Sequence, residues 1–356
     1  LIDIVSTRGL YAKEDDLDQE GLSMTSRGLL ISLLLLVGFF FSTAPVFSQA
    51  KNLKKIHVGV PAVSMGNIII FFAKEAKIYD KHGLDAEPVV MSGSGIASRA
   101  LIAGSVTISP ITTPAVMSAV LAGSDMVILA HTMPGVIQSL VVRPEIKRAE
   151  DLKGKTIGVT TFGSLGDFLV RYLARQKGLN PDKDFALRQI GADPERLISL
   201  RQGSIQAATL SHPSFILAQR AGFLVLWDFF KDVEYPWSEI ATTRTLIKQD
   251  RDLVMRYMRA HLEGIARFKL EPELAKKVIK KMLRLDDESL AQESWELFAK
   301  HRLAAPYPNI KGMKTSYEYV AQTRPDVYKH KPEEFVDASF VEELDKSGFI
   351  KKLYEK

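Results

Sequence analysis

The chain repeats an ordered pattern about 99 residues further on. The first copy reads IHVGVPAVSMGN, a helical stretch, HGLDAEPVVMSGSG, a second helical stretch and AGSVTISPITTPAVMSAVLAGSDMVIL. The second reads KTIGVTTFGSLGD, KGLNPDKDFALRQIGAD and QGSIQAATLSHPSFILAQRAGFLVL, with helical stretches in the same places. Gly104 matches Gly203, Pro114 matches Pro213 and Gly123 matches Gly222 at one constant offset of 99. Three landmarks in one order point to two similar structural units. Each unit alternates short apolar runs with helical ones, which predicts an α/β fold with parallel sheets and right-handed crossovers. Strands are expected near 55–60, 86–91, 106–109 and 127–132, and again near 155–160, 186–190, 206–210 and 223–227. Gly83 in KHGL and Gly178 in QKGL are expected to close helices after a basic last turn.

Beyond residue 245 the periodicity changes. Leu253, Met255, Tyr257, Met258, Leu262 and Ile265 mark a long amphipathic helix, and further helices follow around a Pro-rich break at APYPNIKG (305–312). This tail carries no strand signature and is expected to pack on the first unit, with SEIATTRTLI (238–247) returning the chain there as a strand. Two crossings result, near Val141–Pro144 and Leu226–Glu239. The expected division is 51–142 with 238–356 for one lobe and 143–237 for the other.

A chain of 356 residues, 46% hydrophobic and 25% charged, is long enough for two domains and ordinary for a globular protein. It has no cysteine, which excludes disulfides, thiolate metal sites and a cysteine nucleophile. Residues 24–50, MTSRGLLISLLLLVGFFFSTAPVFSQA, combine a basic start at Arg27, an apolar core from Leu29 to Phe41 and a small-residue end. That is the pattern of a secretory signal peptide, with cleavage expected after Ser48 or Ala50. An uncleaved anchor over 29–48 is the alternative, and Pro45 with the small-residue exit favours cleavage. Residues 1–23 precede Met24, where a signal peptide would start; they read as an over-extended gene start with no folded structure expected. Without residues 1–50 the chain has 44 basic and 36 acidic side chains, a net charge of +8. No basic block interleaved with aromatics occurs, so nucleic acid is not an expected partner.

Open parallel sheets bind ligands beyond the carboxyl ends of their strands, near helix starts. In the first unit those positions hold Ser64, Gly66 and Asn67, then Ser92, Gly93, Ser94 and Gly95, then Thr112 and Thr113. In the second they hold Thr160, Thr161, Gly163 and Ser164, then Gly191 and Asp193, then Ser211 and His212. Glycine lets backbone N–H groups approach a ligand, and the hydroxyls both donate and accept. Helix starts add partial positive charge, so such loops suit a small polar or anionic solute. Thr113-Pro114, His212-Pro213 and Asp193-Pro194 also fit plain N-caps followed by proline at the first helical position. Gly154-Lys155-Thr156 is not a phosphate loop, because it precedes its strand instead of following it. The seven histidines form no close metal pair, and no Gly-x-Ser-x-Gly elbow occurs. Neither a metal nor a cofactor is expected, and no catalytic residue is assigned.

With AKEAKIYDKHGLDAEPV, ALIAGSVTISPITTPA, DLKGKTIGVTTFGS and LISLRQGSIQAATLSHP in that order, the sequence resembles the substrate-binding proteins of nitrate/sulfonate/taurine-type ABC importers. The resemblance covers about residues 55–350, and the superfamily also includes thiamine-precursor binding proteins. It implies a two-lobed type II periplasmic binding protein with a helical C-terminal extension. It further implies a protein that delivers a solute to a membrane permease; the signal peptide predicts a periplasmic location, and a monomer without enzymatic activity is expected. The family often has an acidic residue after the Gly-x-x turn of each lobe, where this chain has Thr107 and Gln206. None of the predicted loops supplies an arginine clamp. A membrane-tethered sensor and a pyrimidine-synthase-like enzyme are the alternatives.

Overall fold

The computed structural model describes residues 53–355; the expected signal peptide and the segment before it lie outside them. Among the described residues the paired β-branched and apolar runs form nine strands: β1 Lys54–Val60, β2 Leu84–Val90, β3 Met126–Met133, β4 Gln138–Val142, β5 Thr156–Val159, β6 Ala186–Gln189, β7 Ala207–Ser211, β8 Leu224–Asp228 and β9 Trp237–Thr243. β1 and β2 pair in parallel, and β3 pairs antiparallel with β9. Two single bridges join these pairs, a parallel one from Val58 to Ile108 and an antiparallel one from Ser109 to Ala241. The strand expected at 106–109 is thus reduced to two bridging residues, although Ile108 and Ser109 are fully buried between their neighbours.

The second sheet runs β6-β5-β7-β4-β8. Its arrangement repeats that of the first: β5, β6, β7 and β8 stand where β1, β2, the 106–109 segment and β3 stand. The odd member in each is the antiparallel one. β4 follows β3 in sequence yet pairs with β7 and β8, and β9 follows β8 yet pairs with β3. The all-parallel expectation is corrected accordingly. So is the first crossing: β4 belongs to the second sheet, so the chain changes sheet at 134–137, ahead of Val141–Pro144. The second change, at 229–236, falls inside the expected Leu226–Glu239.

The landmarks of the repeat have a common geometry. Gly104 and Gly203 have φ of 71° and 79°, and Gly123 and Gly222 have 93° and 87°; each turns the chain from a helix end through a left-handed conformation closed to most side chains. Gly83 and Gly178, with φ of 75° and 78°, close the helices ending at Lys81 and Gln176.

The tail is helical except for one bridge between Ile128 and Val336. Its main helix, Arg251–Leu270, packs on the helix Ile68–Glu75 of the first unit. The two approach closely at Gly264, where any Cβ would press on Ile69 and Ala73. Phe72 meets Phe268 edge-on at 5.5 Å, and Tyr79 stacks on Tyr257 at 5.8 Å. All six apolar positions read from the sequence of this helix are buried.

Three histidines are sealed into this framework. Burial holds His131 and His261 down to about 3 and His212 to about 4, so all are neutral in the folded state. Neither ring nitrogen of His261 has a hydrogen-bond partner. The unfolded chain takes up protons on these groups near pH 6.5, whereas the folded chain takes them up only near pH 3 to 4. Stability therefore falls as pH drops below about 6.5. Each group contributes a loss of about 2 kcal/mol between pH 6.5 and 5. Urea unfolding at pH 7 and pH 5 is expected to show a fall that is about 2 kcal/mol smaller in His261→Leu; equal falls in the variant and the parent would contradict this.

Candidate functional site

The loops at the carboxyl ends of β1, β2, β5 and the 106–109 segment converge on a cavity of about 70 Å³. That is room for several waters or a small solute. From the first sheet come Pro61, Ala62, Ser64 and Asn67, then Gly93 and Ser94, then Pro110, Ile111 and Thr112; from the second come Thr160, Ser164, Leu165 and Gly166. Four helices begin here, at Ile68, Ser94, Thr113 and Leu165. Gln138 at the start of β4 and Trp237, Ser238 and Glu239 at the start of β9 complete the lining. The strands that follow the two changes of sheet thus form part of the wall.

Local contacts fix each loop. The Asn67 side chain donates to the Ala62 carbonyl at 2.8 Å, tying the loop after β1 to itself. The Thr112 amide donates to Ser94 Oγ at 3.4 Å, joining two helix starts. Ser164 caps its helix by accepting from the Asp167 amide, and Asp167 accepts from the Gly163 amide at 2.9 Å. Thr160 Oγ1 accepts a 2.9 Å hydrogen bond from the buried Arg196, which leaves the hydroxyl proton to donate elsewhere. An added Cβ on Gly93 would collide with the Thr161 hydroxyl, so the Ser-Gly-Ser-Gly and Thr-Thr-Phe-Gly-Ser loops meet at the cavity rim.

The floor is built around β9. Ser238 has φ of 58°, a left-handed conformation that costs a non-glycine residue about 1–2 kcal/mol. Its hydroxyl donates to the Gly66 carbonyl at 2.8 Å and its own carbonyl accepts from Thr132 Oγ1 at 3.0 Å. Arg302, from the tail, is fully desolvated and donates to Thr132 Oγ1 and to the carbonyls of Met65 and Gly66 at 3.1, 2.8 and 2.9 Å. Burial lowers its guanidinium to about 9. Gly66 abuts the Trp237 indole so closely that no side chain fits there.

Among the described residues, Glu239 is the one ionisable residue that lines the cavity, and it is 3% exposed. Tyr235 donates to its Oε1 at 2.6 Å, the Thr113 amide at 3.0 Å and the Thr113 hydroxyl at 3.3 Å. The Asn309 amide donates to His131 Nδ1 at 2.9 Å, so His131 carries its proton on Nε2 and donates it to Thr113 Oγ1 at 3.2 Å. Burial raises Glu239 to about 7 against the opposing effect of these donors, and pushes Tyr235 well above its usual value.

Among the residues expected at the site, Ser64, Asn67, Gly93, Ser94, Thr112, Thr160 and Ser164 line the cavity. The others stand behind or beside it. Gly66 underlies Trp237, Thr113 turns its hydroxyl to Glu239, and Ser92, Thr161 and Gly163 belong to the flanking loops without lining it. Ser211 gives its amide to the Asp193 carboxylate at 2.7 Å, while His212 is packed between Phe215 and Phe298 with Nδ1 3.2 Å from Ser294 Oγ. The cap expectations shift by one residue: Thr112, Ala192 and Pro213 hold the cap positions, and the His212–Pro213 bond is cis. Gln138, Trp237, Ser238 and Glu239 escape a reading limited to loops after parallel strands, because they begin the antiparallel ones. Among the described residues no cluster of metal-ligating side chains occurs.

The chain belongs to the NMT1-like family, whose sequence pattern spans residues 49–283. A Brucella abortus protein described as a binding protein is 29% identical over 257 residues, covering 70% of this chain and 78% of its own length. A protein of Bordetella bronchiseptica superposes with a TM-score of 0.75 at 18% identity, over 83% of this chain and 98% of that one. The alkanesulfonate-binding protein SsuA from Xanthomonas axonopodis, bound to MOPS, gives 0.65 at 14% identity, over 80% and 98%. The fold is that of a two-lobed type II periplasmic binding protein with C-terminal helices.

The Thr113 hydroxyl bridges two buried polar groups, so Thr113→Val leaves both short of a partner, at a cost of about 1–3 kcal/mol, whereas Thr113→Ser retains the bridge. Chemical denaturation is expected to rank the three proteins parent, Ser, Val; a Val variant as stable as the parent would contradict the bridge.

Proposed function

We propose that this protein is an extracytoplasmic solute-binding protein. In this reading it captures a small polar or anionic organic solute between two lobes and delivers it to the permease of an ABC importer. The lobes are built on the two sheets, with the tail helices on the first, and the expected site residues that line the cavity are its ligand contacts. The observation that carries the reading is the cavity itself: loops from both sheets and the starts of both crossing strands share one small polar space. The family membership and the binding-protein fold of the relatives support it. The family pattern begins at residue 49, beside the expected cleavage after Ser48 or Ala50, in keeping with export to the periplasm.

The mechanism proposed is hinge closure at 134–137 and 229–236. Opening exposes the loops, the solute bridges them, and the closed population rises by the solute's differential affinity for that form. No catalytic step is assigned to the protein.

The purified chain is expected to retain or select one solute class from a panel of sulfonates, nitrate, amines, amides and pyrimidines, or from a cell extract. A ligand at a hundredfold over its Kd stabilises by about 2.7 kcal/mol, visible as a rise in melting temperature, and closure lowers the radius of gyration in X-ray scattering. Indifference to every panel member and to the extract, or turnover of the bound solute, would contradict the proposal.

A further inference from the structure

Among the described residues the cavity wall has one ionisable side chain, and it is an acid, Glu239. No lysine, arginine or histidine joins Glu239 on it. The three hydrogen bonds to its carboxylate all fall on Oε1. Oε2 accepts none from another residue, and it is not among the sealed polar atoms that lack partners, so it keeps accessible surface on a residue that lines the cavity. The chain gives this oxygen no donor from another residue, so its donor must come from what occupies the cavity, water or solute.

The helix starts around the cavity do not reverse this sign. Each carries a partial positive charge suited to an anion, but two are already supplied with carboxylates from the chain itself. Glu239 sits on the first amide of the helix Thr113–Leu121. Asp167, 3% exposed, lies in the first turn of Leu165–Gln176 and accepts from the Gly163 amide. Asp167 is itself paired with Arg171 at 2.9 Å, and Arg196, which reaches Thr160 from behind the wall, is paired with Asp193; an anionic solute would therefore meet the Glu239 carboxyl and no side-chain cation among the lining residues.

We infer that the solute carries a cationic nitrogen group, an ammonium, amidinium or guanidinium, and that this group is seated on Glu239 Oε2. The inference rests on the solute-binding reading and replaces its anionic option with a solute that is cationic at this end. Thr160, whose hydroxyl proton is free to donate, and the hydroxyls of Ser64 and Ser94 remain for the solute's other polar atoms. The raised carboxyl of Glu239 fits the same picture, since an arriving cation restores the ionised form that burial disfavours.

The full chain is titrated calorimetrically with acetamidinium and guanidinium, and with acetate, ethanesulfonate and nitrate as counterparts. Small molecules released on denaturation are identified by mass spectrometry. The cations are expected to bind saturably and at least about tenfold more tightly than the anions. Cation affinity falls as pH drops below about 7, where Glu239 takes up its proton. The groups around it do not titrate between pH 5 and 8: His131 stays neutral to about 3, Arg302 stays charged to about 9, and Tyr235 is pushed well above its usual range. Glu239→Gln keeps the oxygen facing Thr113 and Tyr235 and presents an N–H donor to the cavity. It is expected to lose at least about tenfold in acetamidinium affinity. Should this variant fail to fold, the parent's cation-over-anion preference and its pH profile decide. Tighter binding of acetate, ethanesulfonate or nitrate by the parent, strengthening below pH 7, would overturn the inference and leave solute binding standing. A chain that binds none of these probes and releases no small molecule would overturn both.

Discussion

The Glu239 carboxylate is taken out of water and held on the first amide of the helix Thr113–Leu121, and the cavity is arranged around that contact. It joins β9, the strand that returns from the second sheet, to a helix of the first. Behind it Thr113 passes the constraint to His131 on β3, and His131 passes it to the Asn309 amide in the tail. Four separate stretches of chain are thereby fixed by one buried acid. A network of this kind specifies geometry strongly when every member has a partner and is costly when one is missing. Oε2 is the member on which no hydrogen bond from another residue falls.

The swapped strands make such a site possible. If each repeat folded wholly on itself, the loops of the two sheets would share no chain at the cavity. Because β4 and β9 each change sheet, the residues that begin them, Gln138 and Trp237 to Glu239, sit where the two units face each other. The tail then braces this floor: Arg302 reaches the carbonyls of Met65 and Gly66, and Ser238 holds Gly66 from the other side. The left-handed backbone at Ser238 is maintained by these contacts, with local strain offset by the hydrogen bonds around it.

Much of this was legible in the residues. The glycine landmarks of the repeat announce left-handed turns, which only glycine adopts at little cost, and both pairs have that geometry. The long helix of the tail shows its buried face in its spacing. The hydroxyl-rich loops that line the cavity, from Ser64 to Ser164, were found because strand ends followed by glycine and serine have few other uses. What stayed hidden is non-local. A strand such as β4, whose QSLVV run is short and apolar, does not say which sheet it joins, so the residues alone put the first crossing later than the sheets do. The 106–109 run looks like a strand but reaches its neighbours through two bridges. Glu239 lies in a run read as a returning strand, and nothing in SEIATT shows that its acid is buried against a helix start more than a hundred residues away. His212 was the reverse case: beside a proline at a strand end it resembled a site residue, yet its ring fills the packing between Phe215 and Phe298.

The central claim is that the carboxylate on the cavity wall selects what the protein holds. A high-resolution crystal structure of the protein carrying its co-purified solute tests this most directly. The account predicts a nitrogen donor of the solute within about 3 Å of Glu239 Oε2, with Tyr235 and Thr113 still on Oε1. A solute oxygen of a carboxylate, sulfonate or nitrate in that position, or a solute bound elsewhere with the cavity closed to it, would contradict it.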